Sequence, residues 1–258
     1  MSHKTDVVVI GAGPVSLFAV FELGLLNLKC HLIDNLDKIG GQCAELYPEK
    51  PVYDIPSRSK ITGEELIGEL MLQAKPFEPV FHLNQQADSI KKVGDEWKLT
   101  TSSNTVIQAR CIVIAAGAGS FVPRRPPIKN IELFENTSVF YSVRDKSKFK
   151  NKKILIVGGG DSALDWTNDL ASIADVTLMH RRKEFRASPD SVTKMLELEK
   201  NNKIKFVYGQ LDSLSGNEKN LNAVNYKHED KNFSIEVDYL LPFFGLKMEL
   251  GPIANWGI

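Results

Sequence analysis

Two glycine-rich hexapeptides carry the chemistry legible in this chain. Gly11-Ala12-Gly13-Pro14-Val15-Ser16 fills a GxGxxG frame with serine in the last place. A β-branched run at 6–10 (DVVVI) precedes it and an apolar helical stretch follows. An acid, Asp34, stands 21 residues beyond Gly13, at the end of the next strand-like run. In a dinucleotide site Gly11 permits the tight turn and Gly13 lets a pyrophosphate approach the helix N-terminus. Asp34 would then accept hydrogen bonds from ribose hydroxyls. The competing reading is a packing turn in an unrelated α/β protein. Ser16 departs from the frame: the third glycine lets helix and strand pack closely, so a hydroxymethyl group there must be accommodated or push them apart.

The second hexapeptide, Gly158-Gly159-Gly160-Asp161-Ser162-Ala163, is the GxGxxA form. From 20 residues after Gly160 the next strand runs into His180, Arg181 and Arg182, with Arg186 just beyond. Potential cations thus stand where the first turn has its acid. An acid there repels a 2′-phosphate, whereas guanidinium groups pair with it bidentately. The first turn therefore suits an unphosphorylated adenosine, as in FAD or NAD, and the second suits NADP. The ordinary alternative for the second is a solvated basic loop. Two dinucleotide sites in one chain imply electron transfer between two cofactors, one of them a flavin.

Such turns need βαβ units to hold them, and the pattern supplies two, with first glycines 147 residues apart. Strand 6–10, helix 14–28 and strand 29–34 form the first; strand 153–157, helix 161–173 and strand 175–179 form the second. Thr62 with Glu65 is a capping box opening a helix over 63–74, and Ser188 caps another with Pro189 in its first position. Short alternating runs from 79 to 110 predict an antiparallel meander, and 111–116 (CIVIAA) a separate buried strand. The Pro-rich stretch 123–127 suits a domain crossing, and 239–244 (YLLPFF) the strand returning to the first domain. The expected division is 1–119 with 239–258, and 120–238. Residues 7–28 could pass for a signal peptide or membrane span, but Gly11, Gly13, Pro14 and Glu22 interrupt them.

Composition narrows the partners. The 258 residues are 43% hydrophobic and 25% charged, enough for a real core and against long disorder. Basic and acidic residues both total 32, which disfavours nucleic acid and acidic membranes as main partners. Cys30, Cys43 and Cys111 are too few and too scattered for a disulfide framework or a metal site, which fits a reducing, cytoplasmic setting.

The stretches VVVIGAGPVSLFAVFELGLL, IGGQCAELYPEKPVYDIP, AAGAGSF, VGGGDSALDW and HRRKEFRA resemble thioredoxin-reductase-like (type 2) ferredoxin–NADP reductases, in that family's order along the chain. The resemblance implies an α/β fold with two Rossmann-like dinucleotide-binding domains of the pyridine nucleotide-disulfide oxidoreductase kind. It implies that Gly11, Gly13 and Asp34 hold FAD by its pyrophosphate and ribose. Gln42 and Tyr47 would contact the flavin, Ala87 the adenine through its backbone, and Phe121 would line the flavin site. Gly158, Gly160, Asp161 and Ser162 would take the NADP pyrophosphate, and His180, Arg181, Arg182 and Arg186 its 2′-phosphate. Ferredoxin or flavodoxin would be the partner, and a homodimer the assembly.

No catalytic side chain and no metal ligand is expected, because such chemistry resides in the cofactors. Cysteines separate the close relatives. Thioredoxin reductases of this shape carry a CxxC before the second glycine turn, where this chain reads SVRDKSKFKNKK, and the glutathione-reductase CxxxxC spacing fails because Pro48 stands five places after Cys43. The rivals are a flavoprotein that acts on disulfides through a partner and a non-enzymatic nucleotide-binding remnant. Lys146, Lys148, Lys150, Lys152 and Lys153 could steer an acidic ferredoxin, though a solvated loop is the plainer reading. Members of the resembled family continue beyond residue 258 with a Gly-Asp motif and a helix facing the flavin. On that ground this chain is expected to be either a fragment of a complete gene or a truncated product, and to hold FAD poorly while its NADP unit folds.

Overall fold

The β-branched run at 6–10 is the inner half of a longer strand, β1 (Ser2–Ile10), which leads through the first glycine turn into α1 (Pro14–Leu25). The computed structural model describes residues 2–217 and 220–257, with backbone alone at residue 121. The chain divides into two units, Met1–Phe121 with Met248–Ile258, and Val122–Lys247. Helix α1 stops three residues short of the predicted end because Asn27 turns left-handed, at φ 58°. The Asn27 and Leu28 N–H groups then bond back to Gly24 and Leu23, closing the last turn.

The first unit continues with β2 (Cys30–Ile33), α2 (Gly41–Glu45), β3 (Pro51–Val52), β4 (Ile61–Thr62) and α3 (Gly63–Ala74). Thr62 and Glu65 form the expected capping box on α3. Strands β5 (Val80–His82), β6 (Ala87–Val93), β7 (Glu96–Thr101) and β8 (Val106–Ile114) follow. They join β1 and β2 in one six-stranded sheet, ordered β5-β2-β1-β8-β7-β6. Two expectations fail here. β5 pairs parallel with β2 instead of opening the meander. The run 111–116 is not a separate strand either. β8 spans both pieces, pairing antiparallel with β7 along one edge and parallel with β1 from Ser2↔Val106 to Ile10↔Ile114 along the other. One strand therefore welds the parallel core to the meander. Val7, Val9 and Leu32 pack with Val20 of α1 and Ala74 of α3 on one face. Val8, Ile10, Ile33, Leu99 and Ile107 pack on the other, joined by Ile253 and Trp256. Both faces of the parallel strands are thus covered, which explains their unbroken apolar sequence.

Strand β9 (Ser120–Pro123) leads into the second unit, where β10 (Lys153–Val157), α4 (Asp161–Leu170), β11 (Asp175–His180), α5 (Pro189–Lys200) and β12 (Ile204–Tyr208) repeat the first pattern. Ser188 caps α5 through the Ser191 N–H, as its sequence predicts. An antiparallel meander of β13 (Gln210–Asn217), β14 (Asn220–His228) and β15 (Lys231–Glu236) covers one face of the parallel sheet. Leu155, Val157, Met179, Leu221, Val224 and Leu240 form the core between them. Residues 239–244 do not return to the first unit. Tyr239–Pro242 is β16, the fourth parallel strand here, in register with β10 from Ile154↔Tyr239 to Val157↔Pro242. The return is made by β17 (Leu246–Glu249), which pairs with β9. Among the described residues no helix is long and apolar enough to cross a membrane.

Three imidazoles gather where β1, β2 and β5 lie side by side. His31 Nδ1 and His82 Nε2 are 3.0 Å apart, so one proton is shared between two nitrogens, and the His3 ring centroid sits 5.0 Å from that of His82. Burial, then the neighbouring imidazoles, push His31 down to about 4 from an ordinary 6.5, and burial with His3 lowers His82. The unfolded chain therefore takes up protons that the folded chain refuses. Stability is full above pH 6.5 and falls as pH drops toward 4. Thermal melting is expected at a lower midpoint near pH 5 than near pH 8, with His31→Gln reducing the difference. A wild-type midpoint that does not change over this range contradicts the account.

Candidate functional site

In the first unit the turn is built by close approach. Gly11 sits at φ 106°, and a Cβ there would run into the carbonyl oxygen of Ala115, so only glycine lets the end of β1 lie against the residue that follows β8. The Gly11 N–H donates to Ile33 O at 2.8 Å. Asp34 then clasps the turn: Oδ2 accepts from the Ala12 N–H at 2.7 Å and Oδ1 from the Leu36 N–H at 2.9 Å. Gly13 caps α1 without any side-chain acceptor, and its nearest neighbour across the turn, Gly41 Cα, would be 4.0 Å from an added Cβ. First-turn amide groups are therefore left for an anion, over a floor that is all backbone.

A cavity of about 310 Å³ opens over this turn. Gly11, Gly13, Asp34, Gln42, Tyr47 and Ala87, singled out from the sequence, all line it. The seventh residue expected there, Phe121, has its side chain outside the described residues. Ala87 opens β6, is buried, and pairs with Thr101. Gln42 lies on the short helix α2, and Tyr47 follows it, its hydroxyl 3.8 Å from Cys43 Sγ. Burial, then Cys43 and Asp54, push the Tyr47 phenol up to about 12, and burial also raises the Cys43 thiol. Both stay protonated near neutrality, so Cys43 presents a thiol and not a nucleophilic thiolate to the cavity. The glycine cradle, the acid beside it and the apolar aromatic wall fit a dinucleotide carrying a flat ring system.

Sequence reasoning missed part of the wall. Gln85 and Gln86 stand just before Ala87, and Asn35 Nδ2 donates to Ser120 Oγ at 3.0 Å. Glu249, Leu250 and Ile253 close the cavity from the far end of the chain. Their only trace in the sequence is indirect: Gly119 must be glycine because the Glu249 carbonyl occupies the place of its Cβ.

Ser16 is fully buried, and among the described residues its hydroxyl has no hydrogen-bond partner. The group is accommodated at the cost of an unsatisfied polar atom, and it does not line the cavity.

The second turn is assembled differently. A Cβ on Gly158 would lie 2.9 Å from that of Ala163, so the small third-position residue is packed against the first glycine. Gly160 faces open space and caps α4 without a side-chain acceptor. Asp161 and Ser162 are exposed in the first turn of α4. Asp161 Oδ1 already accepts from the Ser188 N–H at 2.8 Å, and Gly159 O accepts from the Arg186 N–H at 2.7 Å. These bonds fold the segment after β11 back onto the turn. Arg181, Arg182 and Arg186 are exposed on that segment, and among the described residues no carboxylate pairs with them. His180 differs from the arginines: its ring lies over Gly159, with Nε2 3.2 Å from the Glu184 carbonyl oxygen.

The lysine-rich loop is partly committed. Lys146 pairs with Asp169 at 2.9 Å, Lys148 sits 3.7 Å over the Phe140 ring, and Lys153 pairs with Glu236 at 2.9 Å. Lys150 and Lys152 are exposed. Among the described residues no cluster of His, Cys, Asp or Glu could hold a metal ion.

Known proteins resemble this chain in sequence and fold. The model of the pyridine nucleotide-disulphide oxidoreductase family matches residues 5–251. Over 259 residues the chain is 54% identical to a ferredoxin–NADP reductase of Rickettsia rickettsii, covering 99% of this chain and 76% of that protein. Over 257 residues it is 55% identical to one of Parvibaculum lavamentivorans, covering 98% and 75%. Among solved structures, Lactococcus lactis thioredoxin reductase superposes with a TM-score of 0.79 at 27% identity, over 99% of this chain and 82% of that one. A thioredoxin reductase of T. acidophilum, at 21% identity and a TM-score of 0.82, shares the fold.

Ser16→Ala is expected to raise stability by about 1 kcal/mol, the cost of one unsatisfied buried hydroxyl. Urea denaturation reads this as a higher midpoint with unchanged slope. A lower midpoint would mean that the hydroxyl makes a bond the folded chain needs.

Proposed function

The chain belongs to the pyridine nucleotide-disulphide oxidoreductase family, and we propose that it moves electrons between NADPH and a ferredoxin or flavodoxin through FAD. The observation that carries this reading is the contrast between the two turns. An acid clasps the first, over a cavity lined by Tyr47, and guanidinium groups with no carboxylate partner among the described residues follow the second. The ferredoxin–NADP reductases among its relatives support the choice of carrier.

Bound FAD supplies the chemistry that side chains lack, the exchange of electron pairs for single electrons. The protein's own task is binding, orientation and exclusion of water. Gly11 and Gly13 would hold the FAD pyrophosphate at the N-terminus of α1. Asp34, fixed by two backbone amides, would accept from the ribose without having to be reoriented. Tyr47 and Gln42 would bound the flavin ring, Phe121 would add to that wall, and the Ala87 backbone would meet the adenine. In the second unit Gly158, Gly160, Asp161 and Ser162 would receive the NADP pyrophosphate, and Arg181, Arg182 and Arg186 its 2′-phosphate.

Disulfide reduction fits less well. Cys30, Cys43 and Cys111 are free, Cys30 is buried, and the Cys43 thiol is held protonated. The free thiols support a cytoplasmic location. A homodimer is supported by the exposed apolar stripe of Val15, Phe18 and Leu25 along α1. That the close relatives are named as reductases favours an enzyme over a nucleotide-binding remnant.

The test is steady-state reduction of a ferredoxin by the FAD-loaded chain with NADPH or NADH. Arg182→Ala is expected to lower kcat/KM for NADPH about 30-fold, the loss of about 2 kcal/mol from a charged hydrogen bond, and to spare NADH. Equal loss with both nucleotides, or no ferredoxin reduction by the wild type, refutes the reading.

A further inference from the structure

His180 stands first in the basic segment, yet its surroundings are unlike those of the arginines that follow. It closes β11, and its ring fills the space where a Cβ on Gly159 would be. The same ring stacks on Phe185, with ring centroids 5.2 Å apart and planes at 26°. Phe185 in turn rests against Phe206 of β12, at 5.7 Å. The half-buried imidazole therefore contacts both the glycine turn and an aromatic pair anchored in the sheet.

Its hydrogen bond fixes the proton. Nε2 lies 3.2 Å from the Glu184 carbonyl oxygen, and a carbonyl can only accept, so Nε2 carries the hydrogen. In the neutral ring Nδ1 is then bare and has no proton to give an anion. The ring is held neutral: burial lowers its proton affinity most, and Arg181 and Arg182 lower it further against the pull of the Glu184 carbonyl and carboxylate.

We propose that His180 is a positioning residue and not a phosphate ligand. Wedged between Gly159 and Phe185, it sets the turn 181–188 so that Arg181, Arg182 and Arg186 present their charges together to a 2′-phosphate. Three bonds close this device. His180 holds Glu184, the Arg186 N–H holds Gly159 O at 2.7 Å, and the Ser188 N–H holds Asp161 Oδ1 at 2.8 Å. Preorganising an exposed arginine loop removes the ordering cost that a ligand would otherwise meet on binding. The inference rests on the reading of this unit as the NADP site and adds a division of labour within it: one residue shapes, three bind.

The test is calorimetric binding of 2′,5′-ADP and of 5′-AMP to the full chain, a readout independent of flavin and of turnover. His180→Gln keeps a neutral N–H donor near the Nε2 position, and His180→Ala removes wedge and donor together. The Ala variant is expected to lose about tenfold in 2′,5′-ADP affinity with 5′-AMP nearly unchanged, and the Gln variant to stay within about twofold of wild type. Amide exchange at Arg186 and Ser188 should speed up in the Ala variant and not in the Gln variant, which also shows whether the fold survives. Equal losses in Gln and Ala would assign the imidazole to the phosphate and overturn the wedge. Unchanged 2′,5′-ADP binding in both variants, or equal loss of both nucleotides, would overturn it too. A wild type that does not prefer 2′,5′-ADP over 5′-AMP removes the NADP reading itself, an outcome distinct from the other three.

Discussion

Asp34 ties the end of β2 to the start of α1 by taking two backbone N–H groups on one carboxylate, those of Ala12 and Leu36. The cavity wall depends on that clasp. It orients the glycine turn, leaves the first amides of α1 facing outward, and holds an acid beside them. The second unit needs the same turn but has no carboxylate at the corresponding place, where one would repel a phosphorylated ribose. Its acid stands instead at Asp161, on the first residue of α4, and grips Ser188, while the backbone bond from Arg186 to Gly159 does the rest. Two copies of one supersecondary unit are thus closed by different bonds.

The parts of this architecture open to sequence reading are those in which local chemistry and long-range packing agree. The glycine frames, the capping box at Thr62 and the cap at Ser188 state their own geometry, because each is a bond between near neighbours. β8 was harder. Ile107 and Ala109 face the same core as Ile112, so the alternation of the strand slips phase around Arg110, and the run reads as two pieces. β16 was harder still. A strand covered on both faces has no alternation at all, and nothing local in YLLPFF tells which parallel sheet receives it. The far wall of the cavity, Glu249 to Ile253, was illegible for a third reason: its register depends on Gly119, more than a hundred residues away.

The site also shows what it does without. Cys43 and Tyr47, at the cavity wall, are kept protonated by burial, and among the described residues the Ser16 hydroxyl has no hydrogen-bond partner. Such a site binds and orients, and it suits chemistry carried by cofactors.

The most direct measurement of this account is the anaerobic visible spectrum of the purified chain with FAD added, before and after NADPH. The account predicts a flavin spectrum that bleaches with NADPH and far more slowly with NADH. Flavin that stays oxidised in the presence of NADPH, or that bleaches equally fast with NADH, would contradict it.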